Sequence, residues 1–288
     1  MTNSNRPDTL AGPDFICIGA QKAGTTWLYD QLAHHPQVWL PVIKELHYFN
    51  FAQPNALLAD KEGYPWGSPL ERMRFLKQRP DMETLKWLLR YNFGAKSSSW
   101  YRNLFPRIDG KIRGELTPAY STLDERGVDL VKSTVSERCR ILLIIRDPVE
   151  RAWSGVKMNY RWTGEDITQE EIAGLRARIG SNTVRLRSEY SKIIPRWNER
   201  FPDRFSLLFY EDLKAAPEAF FKHVCSLLGI SQDYIPETLH KRSNEDREGI
   251  SMPKVAREIL EEMLVSEIEH FKAVRDEYLR EEAQWLSR

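Results

Sequence analysis

Short apolar runs alternate with amphipathic stretches along most of the chain. Four runs predict strands, at residues 14–20, 111–121, 138–148 and 204–213. The third has a continuous branched apolar centre, which is typical of a strand buried on both faces. The segments Thr25 to His34 and 217–228 have helical periodicity. Strands that alternate with helices indicate a three-layer α/β fold, with a central, mainly parallel sheet flanked by helices.

Two segments interrupt this alternation, residues 50–110 and 161–183. Both would start near the carboxyl edge of the sheet, where ligands bind in open α/β folds, so they are candidate walls of a substrate pocket. The first segment is rich in aromatic residues, for which packing of helices onto the sheet is the alternative. These residues are Tyr64, Trp66, Trp87, Tyr91, Phe93, Trp100 and Tyr101. Residues 253–288 predict one or two charged amphipathic helices. With residues 1–13 as a flexible start and no clear linker, we expect a single domain over 1–288.

The segment GAQKAGTT, Gly19 to Thr26, joins the first strand to its helix. Gly19 and Gly24 keep the spacing of a nucleoside-triphosphate loop, but Thr25 follows Gly24 and the lysine stands inside the loop as Lys22. Such a junction directs backbone N–H groups and the helix dipole at one point, which favours a bound phosphate or sulfate. The threonines add hydroxyl donors and Lys22 adds a charge. A tight structural turn with a surface lysine is the alternative.

The displaced lysine bears on the choice of ligand. P-loop nucleotide enzymes use the lysine after the second glycine on the β- and γ-phosphates and the next hydroxyl on magnesium. The nearest acidic strand end here, Asp147, follows an arginine, which is unfavourable for a cation. The sequence therefore predicts a phosphoryl-like ligand handled without a metal.

The composition restricts the partners and the compartment. The 288 residues are 41% hydrophobic and 29% charged, and the formal net charge of +1 gives no global field toward nucleic acid or acidic membranes. The polar start does not resemble a signal peptide, and no apolar run is long enough for a membrane span. Cys17, Cys139 and Cys225 form no metal pair or disulfide framework. We expect no nucleic acid partner, no membrane span and a cytoplasmic location.

Two motifs together carry a family resemblance. GAQKAGTTWLYDQL resembles the 5′-phosphosulfate loop of the sulfotransferase family, and IIRDPVERAWSGVKM resembles its 3′-phosphate motif. The resemblance covers roughly Asp14 to Pro253 and points to the bacterial and carbohydrate (Golgi-type) branch. It implies a P-loop-like fold and 3′-phosphoadenosine 5′-phosphosulfate as the sulfuryl donor, with 3′-phosphoadenosine 5′-phosphate as product and no metal. Arg146 and Ser154 would hold the 3′-phosphate. The phosphosulfate would lie on Gln21, Lys22, Ala23, Gly24, Thr25 and Thr26.

The segment KELHYF, Lys44 to Phe49, is similar to the K-E-x-H-F-F segment of carbohydrate and bacterial sulfotransferases. The resemblance implies that Glu45 takes the proton of the acceptor hydroxyl, with His47 as its partner or as the alternative base, and that Lys44 lies beside the substrate. A base must also reach the acceptor and have a suitable pKa. Surface charges and a structural histidine are the alternative.

The segment GELTPAYS, residues 114–121, resembles the E-x-[ST]-P-x-Y element beside the acceptor, and implies substrate contacts from Glu115, Thr117 and Tyr120. Many carbohydrate-type relatives have a lysine before the Thr-Pro pair, whereas this chain has Leu116, so no lysine contact is carried over. A loop shaped by Pro118 is the alternative.

The later segments contribute weaker matches. Ser188 and Tyr190 fall where relatives place residues near the donor. The segment HKRSNEDREGISMP replaces the R-K-G-x-x-G loop of the cytosolic branch and resembles the looser bacterial and Golgi-type version, in which one basic residue covers the nucleotide. Arg242 and Arg247 are both candidates for that residue.

The implied reaction is an in-line transfer in which Lys22 stabilises the leaving oxygen and Glu45 deprotonates a hydroxyl or amine. The acceptor would be a small molecule or a sugar. The aromatic segment and the low net charge favour a small molecule, in a bacterial cytoplasm. Two other classes stay open: a metal-dependent P-loop kinase, which chelator-sensitive activity with ATP would support, and a non-catalytic nucleotide-binding protein, which tight donor binding without turnover would support.

Overall fold

The computed structural model describes most of the chain and includes all the elements predicted above. It covers residues 12–52, 69–163, 174, 182–240 and 252–286. The predictions on Tyr64, Trp66, Arg242 and Arg247, and most of 161–183, lie outside the described residues.

Five parallel strands form one sheet in the order β2–β3–β1–β4–β5. In chain order they are β1 Phe15–Gly19, β2 Val38–Trp39, β3 Ile112–Leu116, β4 Arg140–Ile145 and β5 Phe205–Phe209. The four predicted strands are confirmed, and so is the parallel α/β class, but the fourth predicted strand ends at Phe209 and residues 210–213, predicted as strand, belong to a helix. Strand β2 was not predicted, because two residues carry no periodicity.

The central strands form the core because nearly every residue in them is apolar. Phe15 to Ile18 of β1 and Ile141 to Ile145 of β4 have no exposed surface. Cys17 lies opposite Leu116 on one side and Leu142 on the other, so β1 is bonded along both edges. A strand with two neighbours and two covered faces has room only for apolar side chains.

Helices flank the sheet, and the described residues also include three short 3₁₀ segments. The α-helices are α1 Thr25–His34, α2 Tyr48–Ala52, α3 Pro69–Arg72, α4 Met82–Phe93, α5 Ser98–Arg102, α6 Glu125–Thr134, α7 Pro148–Thr163, α8 Asn182–Leu186, α9 Tyr190–Arg200, α10 Tyr210–Ala215, α11 Pro217–Leu228, α12 Lys254–Met263 and α13 Val265–Leu286. The 3₁₀ segments are Met73–Lys77, Pro118–Thr122 and Pro202–Arg204. No helix in the described ranges is both long and apolar enough to cross a membrane.

The strand order places the loop after β1 at a switch point. The chain leaves β1 toward β2 and β3 on one side, and later builds β4 and β5 on the other. A crevice opens at the carboxyl edge of a sheet where the strand order reverses in this way. The anion loop follows β1, the segment from Lys44 to Phe49 comes after β2, and Arg146 follows β4.

The C-terminal pair of helices, predicted from charge and amphipathicity, packs against α7 and α9. Helix α12 shares a small second core with α7, built around Trp153 and Leu260. In α13, Glu267 accepts hydrogen bonds from the Ser191 backbone N–H at 3.0 Å and from the Ser191 hydroxyl at 2.6 Å. These contacts fix the start of α9, whose first residue, Tyr190, faces the site.

The described aromatic residues of the 50–110 segment are mostly core. Trp87, Tyr91, Trp100 and Tyr101 are buried. They pack on one another and on Tyr48, which stacks on Tyr101 with ring centroids 4.8 Å apart. These four therefore have the packing role, while a pocket wall from this segment stays a prediction for the rest of it.

Candidate active site

The loop between β1 and α1 has the geometry of an anion cradle. The Ala20 N–H donates to the Ile144 carbonyl at 2.6 Å, which fixes the loop to β4. Gly24 precedes α1 in the left-handed region, with φ 88°, and no side chain caps the helix. The first-turn N–H groups of α1 therefore point at the loop without a side-chain acceptor, and the first turn contains no acidic residue. A Cβ at Gly24 would also lie 2.6 Å from Leu213 Cδ2, so a larger residue would have to displace that methyl group.

Lys44 joins the loop to the KELHYF segment. Its Nζ donates to the Thr26 hydroxyl at 2.7 Å and lies 3.3 Å from Glu45 Oε1. The neighbouring Thr25 is buried and packs into the protein. One ammonium group thus contacts both the predicted phosphosulfate loop and the predicted base, which the sequence spacing could not show.

Glu45 and His47, the predicted base and its partner, lie side by side. His47 Nε2 lies 3.4 Å from Glu45 Oε2, and His47 Nδ1 lies 3.2 Å from Asn50 Oδ1. Burial raises the pKa of Glu45, but the hydrogen bond to His47 and the charge of Lys44 outweigh it, so the pKa lies below its ordinary value. Glu45 is therefore ionised at neutral pH, as a proton acceptor must be.

Three residues of the site have unfavourable backbone conformations. Among the described residues, the non-glycine residues with positive φ are Lys22 at 71°, Glu45 at 65° and His47 at 55°. Such conformations persist only where the surrounding structure imposes them, and they cluster at functional sites. The three strained positions coincide with the three predicted catalytic residues.

Arg146 lies at the carboxyl end of β4 and faces the same loop. Its Nη1 donates to the Lys22 carbonyl at 3.2 Å, and its guanidinium lies 4.6 Å from the ring centroid of Tyr210. Arg146 Nη2 also forms an ion pair with Glu150 on the following helix, at 3.7 Å. Tyr190 accepts from the Arg146 N–H and donates to its carbonyl at 2.9 Å, and burial raises the pKa of Tyr190 to about 12. Tyr190 thus holds the backbone of Arg146.

Ser154 and Ser188 have different surroundings. Ser154 is half-buried on α7, two turns after Arg146. Ser188 is fully buried, and its hydroxyl accepts from Arg151 Nε at 2.7 Å. Arg151 also donates to the Val184 carbonyl at 2.6 Å, and burial lowers its pKa to about 10. Sequence reasoning missed Arg151, although its place between Arg146 and Ser154 in IIRDPVERAWSG was a signal.

The residues of GELTPAYS lie beneath the site. Glu115, Thr117 and Tyr120 have no exposed surface. The Thr117 hydroxyl accepts from the Leu46 N–H at 3.0 Å, and Tyr120 packs edge-on against Phe49 at 5.2 Å. The observed role of these residues is to support residues 44–49, and the direct acceptor contact expected of them stays a prediction.

The described residues therefore bring Lys22, Thr26, Lys44, Glu45, His47 and Arg146 into one connected set. Gln21 and Ala23 lie in the same loop. No group of three or more His, Cys, Asp or Glu side chains within the described ranges could hold a metal. The set is rich in cationic and N–H donors around the helix terminus, so its residues fit a phosphorylated and sulfated ligand.

A parallel five-stranded sheet with an anion cradle after its central strand defines a P-loop-like α/β protein. A family model described as "Sulfotransferase family" matches residues 13–234. The chain therefore belongs to the sulfotransferase family.

Curated relatives and a solved structure agree with this family. Human heparan sulfate glucosamine 3-O-sulfotransferase 3B1 is 26% identical over 228 residues, which cover 76% of this chain and 47% of the relative. Rat carbohydrate sulfotransferase 15 is 30% identical over 157 residues, covering 49% of this chain and 26% of the relative. The chain thus spans less than half the length of these relatives. A sulfotransferase structure from Alicyclobacillus acidocaldarius, 21% identical, matches 92% of this chain and 96% of its own with a TM-score of 0.63, which shows a shared fold.

Proposed function

We propose that the protein transfers the sulfuryl group of 3′-phosphoadenosine 5′-phosphosulfate to a hydroxyl or amine of a carbohydrate or small molecule. The family supports a sulfuryl donor of this kind. The observation that carries the proposal is the contact of Lys44 with both Thr26 and Glu45, because it joins an anion cradle to an ionised carboxylate.

The donor would occupy the cradle and the crevice beside it. The N–H groups of residues 20–26, the Thr26 hydroxyl and Lys22 would bind the phosphosulfate. Arg146 and Ser154 would bind the 3′-phosphate, since a guanidinium offers two parallel N–H donors to phosphate oxygens. Stacking on Tyr210 and the bond to the Lys22 carbonyl limit the rotation of Arg146 before the ligand arrives. Arg242 and Arg247 remain the two candidates for covering the nucleotide.

The side chains of the site divide the reaction between them. The donor, when bound, supplies the sulfuryl group with phosphate as leaving group. Glu45 accepts the proton of the attacking hydroxyl as the new O–S bond forms, and His47 orients the Glu45 carboxylate. Lys22 places its charge where the departing phosphate oxygen gains the electron pair of the broken S–O bond. No step assigned to these residues requires a metal.

The acceptor would approach beside α2. Phe51 is 36% exposed and its ring lies 6.2 Å from His47, so an apolar surface borders the base. Such a surface can stack on a sugar ring or an aromatic acceptor. The names of the curated relatives, heparan sulfate glucosamine and carbohydrate sulfotransferases, support a sugar. The cytoplasm stays the proposed compartment, and it is compatible with three buried free thiols.

The proposal is tested by measuring donor-dependent sulfuryl transfer in variants of Lys22, in the anion cradle, and of Arg146. Transfer of labelled sulfuryl to phenols and glucosamine oligosaccharides should fall about 10²–10³-fold in Lys22→Ala, by analogy with the loss of one oxyanion donor. Arg146→Ala should raise the KM for the donor, while the exposed control Lys86→Ala stays at the wild-type rate. Full activity in both Lys22→Ala and Arg146→Ala would refute the proposal.

A further inference from the structure

The turn that presents Glu45 and His47 lies outside any helix or strand. Residues 41–47 have no regular secondary structure, and both Glu45 and His47 have positive φ. Leu46, between them, is fully buried. Its N–H donates to the Thr117 hydroxyl at 3.0 Å and its carbonyl accepts from the Tyr91 hydroxyl at 3.3 Å. The conformation of the turn therefore depends on side chains from other elements.

Glu115 sets the direction of the Thr117 hydroxyl. That hydroxyl donates its single proton to Glu115 Oε2 at 2.8 Å, which leaves its lone pairs for the Leu46 N–H. Glu115 Oε1 accepts from the Tyr101 hydroxyl. Both Glu115 and Thr117 are anchored to the sheet, because Glu115 pairs with Ile16 and the Thr117 N–H donates to the Cys17 carbonyl at 3.0 Å. These hydrogen bonds thus fix the position of the turn relative to β1 and β3.

Burying a carboxylate at the position of Glu115 costs free energy, because the charged form loses its hydration. Glu115 has no exposed surface, and its partners among the described residues are two hydroxyl groups and the Leu46 N–H rather than a lysine or arginine. Burial raises its pKa to about 7, while Tyr101, His47 and Cys139 are the titratable groups that interact with it. An apolar side chain would fill the same space without desolvating a charge. Packing alone does not account for the residue.

We propose that Glu115 is a positioning residue for the base: through the Thr117 hydroxyl it fixes the Leu46 N–H, and with it the strained turn that holds Glu45 against His47 and Lys44. This inference rests on the proposed role of Glu45 as the proton acceptor. It gives a reason for a glutamate and a threonine in GELTPAYS that does not depend on direct contact with the acceptor.

The experiment measures the conformation of the turn at residues 41–47 as well as the catalytic turnover. Amide hydrogen exchange at Leu46, followed by NMR, reports whether its N–H bond survives. The variants are Thr117→Val and Glu115→Gln, with Thr117→Ser as the conservative replacement. Thr122→Val is the matched control, because Thr122 is a buried threonine of the 3₁₀ segment that Thr117 precedes, and its hydroxyl donates to the Ala119 carbonyl at 3.0 Å. If a variant fails to fold, Tyr91→Phe tests the other anchor of the turn.

The expected results separate positioning from a general loss of stability. Exchange at Leu46 should accelerate at least ~10-fold in Thr117→Val and Glu115→Gln, and stay within about twofold in Thr117→Ser and Thr122→Val. Turnover should fall about 10–100-fold in the first two, with the KM for the donor and the affinity for 3′-phosphoadenosine 5′-phosphate changed less than about twofold.

Two outcomes would overturn the inference: unchanged exchange at Leu46 in Thr117→Val, or an equal loss of turnover in Thr122→Val. Failure of the proposed function looks different. In that case Glu45→Gln would keep full transfer activity, whatever the exchange at Leu46 shows.

Discussion

Replacing Gly24 with alanine tests whether the donor loop is built as described. Its φ of 88° costs a residue with a Cβ about 1–2 kcal/mol. The new Cβ would also lie 2.6 Å from Leu213 Cδ2 and 3.1 Å from Tyr210 Cδ2. The leucine methyl can turn aside in part, so crowding adds about 1–2 kcal/mol, at the low end for overpacking. We expect Gly24→Ala to lower the free energy of unfolding by about 2–4 kcal/mol in urea denaturation.

The matched control is Gly110→Ala. Gly110 also has positive φ, 72°, but a Cβ there would meet no atom within 4 Å. This control should lose only the conformational part, about 1–2 kcal/mol. Because the Tyr210 ring carries the Arg146 guanidinium, Gly24→Ala should also weaken binding of 3′-phosphoadenosine 5′-phosphate, whereas Gly110→Ala should not. Equal destabilisation by the two substitutions, together with unchanged binding in both, would refute the reasoning.

Two further predictions follow from the charges of the site. In Lys44→Met, Glu45 loses a neighbouring cation that lowers its pKa, so the acid limb of the pH profile of kcat/KM should move to higher pH. The control Lys86→Met should leave this limb in place. An unchanged acid limb in Lys44→Met would contradict the prediction. Glu115 has a pKa of about 7 when folded against an ordinary 4.5, so its raised pKa makes the protein lose stability as pH rises through this window. In the wild type this effect should lower the free energy of unfolding by about 2–3 kcal/mol between pH 5 and 8, and Glu115→Gln should abolish that decrease. Urea unfolding at several pH values measures it, and the same pH dependence in both proteins would contradict the prediction.

The sheet could be predicted because its strands are continuous apolar runs next to turn residues. Runs such as Ile141 to Ile145 leave no other placement than a buried strand. Strand β2 could not be predicted, since its register comes from bonds to β3 rather than from its own residues. The described aromatic residues after residue 50 were ambiguous for a related reason. Composition alone does not distinguish a core cluster from a pocket wall.

The site could be predicted as a set of residues but not as an arrangement. The motifs name Lys22, Glu45 and His47, yet none of these residue types indicates positive φ, which tertiary contacts impose. The contact between Lys44 and Thr26 joins segments that are 18 residues apart. Such contacts depend on how the chain folds between the two segments, and a local motif contains no information about that.

The buried charges show a second limit of the sequence. The sequence implies a substrate contact for Glu115 and assigns Arg151 no role, and it predicts burial for neither, because charged side chains are almost never fully buried. Both are buried here, Glu115 beneath the base and Arg151 behind Arg146 on the next helix. Only their partners, Thr117 and Ser188, give them a role.

The central claim is that Arg146 recognises the 3′-phosphate of the donor nucleotide. Calorimetric titration with 3′-phosphoadenosine 5′-phosphate and with adenosine 5′-monophosphate, which lacks that phosphate, tests it most directly in wild type, Arg146→Ala and the exposed control Arg126→Ala. A charged hydrogen-bonding pair contributes about 1.5–3 kcal/mol, so Arg146→Ala should bind the bisphosphate about 10–100-fold more weakly. Binding of the monophosphate should stay within about threefold, and Arg126→Ala should match wild type. Equal losses for both nucleotides, or a wild-type protein without preference for the 3′-phosphate, would contradict the account.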